Sequence, residues 1–73
     1  MPAEAGLGNR LKDARTAAGL TQAQLADLAG VSRKTINTVE NGVFVPSVFL
    51  ALVLAKQLDT TVESLFYLAR AKS

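Results

Sequence analysis

Between Arg33 and Thr38 the sequence reads RKTINT, which sets two cations, two hydroxyls and a carboxamide within six residues. Such side chains donate and accept hydrogen bonds, and their use lies in what they present to a partner. The rest of the chain offers little chemistry beside them. It has no histidine and no cysteine, which removes the usual general base, the commonest metal ligand, thiol catalysis and any disulfide framework. The six carboxylates, Glu4, Asp13, Asp27, Glu40, Asp59 and Glu63, are scattered along the sequence. This inventory points away from an enzyme and implies no cofactor, no metal and no small-molecule substrate. The net charge of +2 neither establishes nor opposes a polyanionic partner.

These side chains need a scaffold, and the punctuation of the chain supplies one. Seventy-three residues, 49% of them apolar, suffice for one small domain. No strand-like alternation is present, and glycine, proline and hydroxyl residues divide the chain into five helical segments of an all-α fold. Leu7, Leu11, Ala14 and Ala18 recur at helical spacing in a first helix that stops at Gly19. Thr21 stands three residues before Gln24, a capping box opening a second helix whose inward residues are Leu25, Ala26, Leu28 and Ala29. Ser32 is an N-cap for a third helix with Ile36 and Val39 as its buried stripe, closed by Asn41-Gly42. Ser47 caps a fourth helix running to about Leu58, and Val62, Leu65, Phe66 and Leu68 form the apolar side of a short fifth. Residues 1–6 read as a short flexible N-terminus, 7–69 as the domain and 70–73 as a frayed end. The apolar run Val48 to Ala55 is too short to span a bilayer, and the N-terminus lacks a signal-peptide pattern. The chain therefore reads as cytoplasmic, with no membrane partner.

The second and third helices leave only Gly30-Val31-Ser32 between them. Ala26 falls where such helices cross closely, Gly30 supplies a left-handed conformation, and Val31 plugs the inside of the bend. These are the residue types of a helix-turn-helix. The stretch GLTQAQLADLAGVSRKTINTVENG, residues 19–42, resembles the DNA-binding helix-turn-helix of the Cro and lambda-repressor (Xre) family. The stretch PSVFLALVLAKQLDTTVESLF resembles that family's fourth and fifth helices, so the likeness covers roughly residues 7 to 66. It implies a five-helix lambda-repressor-like DNA-binding domain, with residues 22–30 as the positioning helix and 33–41 as the recognition helix.

The major groove of B-DNA admits one α-helix and displays a distinct donor and acceptor code. The resemblance implies base contacts from Arg33, Lys34 and Thr38, followed by Asn37, and phosphate contacts from Gln22, Thr35, Asn41 and Arg10. It also implies a structural ion pair between Arg15 and Glu40. Two departures from the family pattern stand out. The fourth helix, VFLALVLA, is apolar all round, and the connection GVFVPS lacks the cations that relatives often place there. Phe49 and Val53, spaced i, i+4, suggest a subunit contact joined by Phe66 and Tyr67, the alternative being that they cover a groove under Tyr67 or Phe44. The implied function is a transcriptional regulator, a small homodimeric repressor binding double-stranded DNA at a palindrome and hence the nucleoid. An antitoxin, a restriction controller, or a protein-interaction module using the Phe49–Val53 surface remain the alternatives.

Overall fold

Hydroxyl side chains decide where most of the helices begin. The computed structural model describes residues 4–70, in the order β1 (Glu4–Asn9), α1 (Leu11–Ala17), α2 (Gln22–Ala29), α3 (Arg33–Glu40), α4 (Val48–Gln57), α5 (Val62–Leu65) and β2 (Phe66–Arg70). Thr21 Oγ1 accepts the Gln24 N–H at 3.0 Å, while Gln24 Oε1 accepts the Thr21 N–H at 2.8 Å. This reciprocal box starts α2. Ser32, Ser47 and Thr61 accept the N–H three residues on, at 3.1, 3.0 and 3.2 Å, and start α3, α4 and α5. Each cap satisfies a donor that the first turn would otherwise leave unpaired. Between α2 and α3 the chain reverses at Gly30, whose φ of 74° is left-handed and free of the strain a side chain would bring.

The reversal lays α2 on α3, and α4 packs against α2 as well. Leu11, Leu25, Ile36 and Leu54 are fully sequestered at the centre, with Leu65 and Val39 at 1% exposure. Ala26, 2% exposed, belongs to the same cluster, where its small side chain permits close approach of neighbouring backbone. The five helices and their helix-turn-helix are those the sequence predicts.

Both ends depart from an all-helical reading. β1 and β2 form an antiparallel pair in which Leu7 lies opposite Leu68, Gly8 opposite Tyr67 and Asn9 opposite Phe66, with an irregularity between Glu4 and Gly6. Leu7, expected on the first helix, therefore sits on a strand and is 37% exposed. Phe66 and Leu68, expected on the fifth helix, belong to β2. The fifth helix ends early because Phe66 turns extended, with φ −129° and ψ 145°, to pair with Asn9. Two expected inward residues are also displaced. Ala18 is exposed at the end of α1, and Leu28 lies about a third of a turn from the centre of the stripe made by Leu25, Ala26 and Ala29. Strand β1 begins at Glu4, inside the stretch read as a flexible terminus, while residues 1–3 and 71–73 lie outside the described residues.

One side chain ties the hairpin to the helices. Asn9 Nδ2 donates to the Val39 carbonyl at 3.0 Å, near the C-terminal end of α3, and its Oδ1 accepts the Leu11 N–H at 3.1 Å. Asn9 thus serves the carbonyl end of α3 and the amide end of α1 at once.

Candidate nucleic-acid interface

With Ile36 at 0% and Val39 at 1% exposure, the orientation of α3 is fixed by its apolar stripe. The helical period then turns Arg33, Lys34 and Asn37 to solvent, where the three line one shallow concavity. Thr35 and Thr38 are half-buried at the sides. Their hydroxyls are already engaged. Thr35 Oγ1 lies 2.9 Å from Ser32 Oγ in the cap, and Thr38 Oγ1 donates back to the Lys34 and Thr35 carbonyls, each at 3.0 Å. What Thr38 offers outward is a methyl group and acceptor lone pairs, which suits a thymine methyl better than a phosphate.

The carboxamide of Asn37 accepts from Asn41 Nδ2 at 3.3 Å. This contact leaves the Asn37 amino group available and its oxygen with one further lone pair, the pattern that reads adenine. Arg10 is placed elsewhere. Its guanidinium lies over the Tyr67 ring, 4.4 Å from the centroid, at the hairpin side of the domain.

Beneath the exposed face lies a charge network. Arg15 Nε donates to Glu40 Oε2 at 2.6 Å, Nη2 to Glu40 Oε1 at 3.3 Å and Nη1 to the Leu20 carbonyl at 2.8 Å. The Arg15 and Glu40 side chains are 10% and 3% exposed, so each charge depends on the other for compensation. Gln22 joins them, its Nε2 donating to Glu40 Oε1 at 3.0 Å. The expected phosphate residue is thus fastened to the end of α3, a contact across eighteen residues of sequence.

The second surface is apolar. Phe49 is 77% exposed, with Val48 at 78% and Leu52 at 56% on the same helix. Val53 is half-buried and Tyr67 is 42% exposed. Phe66, grouped with them as an interface residue, is instead 9% exposed and packs in the core, because β2 turns it inward beside Asn9. Leu7, Val48, Ala51 and Leu52 share one groove of about 770 Å³.

A helix-turn-helix family profile matches residues 11–65. The chain belongs to that family, in its Xre form. This helix-turn-helix chain is 37% identical over 60 residues to an uncharacterised HTH-type transcriptional regulator of Bacillus subtilis, YgzD, covering 82% of this chain and 91% of the relative. It is 43% identical over 58 residues to an uncharacterised HTH-type transcriptional regulator of Methanocaldococcus jannaschii, covering 80% and 88%. The crystal structure of the restriction-modification controller protein C.AhdI from Aeromonas hydrophila matches with a TM-score of 0.72 and 40% identity, over 75% of this chain and 83% of that one. The structure of the biofilm master regulator SinR in complex with DNA, a Bacillus subtilis protein, matches at 0.71 and 27% identity, over 75% and 89%. The protein is a transcriptional regulator with a DNA-binding helix-turn-helix. Among the described residues no helix is long and apolar enough to cross a membrane.

Asn9 is the structural residue that sequence reasoning passed over. An asparagine two residues before a helix is a legible capping signal for α1. Its bond to Val39 spans thirty positions and leaves no local trace.

Proposed function

We propose that this regulator is a sequence-specific repressor that binds a palindromic operator as a homodimer, with α3 of each copy in a major groove. The observation that carries the reading is the division of α3 into an apolar stripe locked in the core and an exposed Arg33, Lys34 and Asn37. A helix so held has one face to offer, and its donors match guanine and adenine edges. Gln22 and Asn41 flank that face and contact phosphates, while Thr35 supports the helix start. SinR, solved with DNA, supports the same use of this fold.

Dimerisation follows from the α4 surface. Exposed Val48, Phe49 and Leu52 form an apolar patch that a second copy covers, setting the two recognition helices about 34 Å apart, one turn of DNA. The connecting segment is apolar too, with Val43, Phe44 and Val45 exposed where cations would otherwise meet phosphates. Ionic contacts are consequently few, and the salt dependence of binding is shallow. The likeness to C.AhdI favours a second reading, in which the regulated genes are those of a restriction-modification system.

Selection of duplexes from a random pool tests the reading. A two-fold symmetric consensus is the expected outcome. Replacing Arg33 or Lys34 by alanine relaxes preference at defined positions and costs about 1–3 kcal/mol each, read as binding affinity. Recovery of no duplex at low salt, or equal losses on every sequence for both variants, refutes base reading by α3.

A further inference from the structure

Glu40 does more than neutralise Arg15. We propose that it is a positioning residue for DNA binding, holding the Gln22 side-chain amide in the orientation that meets a phosphate. This deepens the DNA reading above and rests on it.

The argument begins with a fixed carboxylate. Arg15 grips both oxygens of Glu40 and is itself anchored on the Leu20 carbonyl, so the carboxylate has little rotational freedom. At 3% exposure water does not compete effectively for it. An ionised carboxylate only accepts hydrogen bonds, so the neighbouring Gln22 must present its NH₂ end and not its oxygen. One N–H of Nε2 is thereby directed at Glu40 Oε1, at 3.0 Å. The other diverges from it by the planar geometry of the amide, and it has no acceptor among the described residues.

Location gives that second N–H its use. Gln22 is the first residue of α2, and with Thr21, Ala23 and Arg33 it lines a cleft between the starts of α2 and α3. Arg33, exposed on the recognition helix, shares that cleft, so a backbone phosphate beside α3 meets the amide and a cation together. A glutamine left unfastened would have to give up side-chain freedom on binding. Glu40 removes that cost in advance, and it ties the phosphate contact to the same ion pair that closes the fold.

A double-mutant cycle on duplex affinity tests this, using a duplex that the protein selects from a random pool. Gln22→Ala weakens binding about fivefold, the worth of one ordinary hydrogen bond. Its salt slope stays unchanged, because no cation is removed. Glu40→Gln offers Arg15 a single acceptor oxygen and sets an NH₂ group against Gln22, so the Gln22 N–H loses its fixed acceptor and the amide its imposed orientation. It weakens binding by a similar factor in the parent chain and adds nothing in the Gln22→Ala background. All affinities are measured where melting curves show the variants folded. A Glu40→Gln loss of equal size in both backgrounds overturns the positioning role and leaves the DNA reading standing. No binding by the parent chain removes both. If Glu40→Gln does not fold, NMR of the parent chain decides. Slowed solvent exchange at one Gln22 side-chain N–H supports the role, and exchange as free as that of exposed Gln57 overturns it.

Discussion

Helices α3 and α4 start alike, each from a serine that accepts the N–H three residues on, yet they face the solvent in opposite ways. α3 buries Ile36 and Val39, ends on the sequestered carboxylate of Glu40, and turns cations and amides outward. α4 buries Leu50, Ala51, Leu54 and Ala55 and exposes Val48, Phe49 and Leu52. A polar exterior is at ease in water and gains from a partner only when that partner supplies matched charge. An apolar exterior is a standing cost that any apolar partner relieves. On the reading proposed above, the difference assigns α3 to a ligand the molecule can release and α4 to a contact it keeps.

The largest expected effect concerns the charge at the end of α3. Arg15→Ala leaves the Glu40 carboxylate without its cation and the Leu20 carbonyl without its donor. Removing one partner of so buried a pair costs roughly 3 kcal/mol. In a domain of this size that lowers the melting temperature by roughly 12–24 °C. Leu52→Ala, on the exposed side of α4, leaves the melt within about 0.5 kcal/mol of the parent when both are measured dilute enough to be monomeric. Calorimetry or circular dichroism of the two variants reads the contrast directly. Equal melts would show that Arg15 and Glu40 are no better coupled than a surface pair.

The second effect is on assembly. Phe49→Lys sets a charge in the middle of the apolar face, and two-fold symmetry repeats it in the partner. Sedimentation should give a monomer at concentrations where the parent dimerises. Affinity for a two-half-site duplex should fall at least tenfold through lost linkage of the two helices. Because Phe49 is 77% exposed, the fold itself is unaffected. A dimer that survives the substitution moves the contact off α4 and leaves the contrast between the helices without its functional meaning.

What was legible in the sequence follows the range of the forces involved. The caps at Thr21, Ser32 and Ser47 act over three residues, and the turn at Gly30 over one, so residue type and spacing suffice to find them. The stripe of Ile36 and Val39, and with it the outward placement of Arg33, Lys34 and Asn37, follows from helical period alone. The hairpin was not legible. Gly6 and Gly8 give β1 no strand signal of its own, and its pairing partner lies some sixty residues away. Leu7 also falls four residues before Leu11, which imitates a helical repeat. The contact of Gln22 with Glu40 and that of Asn9 with Val39 were hidden for the same reason, since only the tertiary fold brings those partners together.

The smallest expected effect lies where neither helix dominates, in the hairpin that falls outside residues 11–65 matched by the family. A Cβ at Gly8 would stand 2.3 Å from Tyr67 Cε2 and 2.4 Å from Cζ, so Gly8→Ala must displace the ring. Those atoms are the far end of a side chain, and Tyr67 can swing outward with little backbone movement. What is lost is the stacking of Arg10 on the ring, worth about 0.5–1 kcal/mol at an exposed site. The melt should therefore fall by no more than roughly 4–8 °C, and by almost nothing in a Tyr67→Ala background. Duplex affinity should not change, because α3 is oriented by Ile36 and Val39. The opposite result would be informative in a specific way. Asn9 adjoins Gly8 and holds the Val39 carbonyl, so weaker binding by Gly8→Ala would mean that the hairpin reaches the recognition helix through Asn9. The polar face of α3 would then depend on the strands as well as on its own apolar stripe.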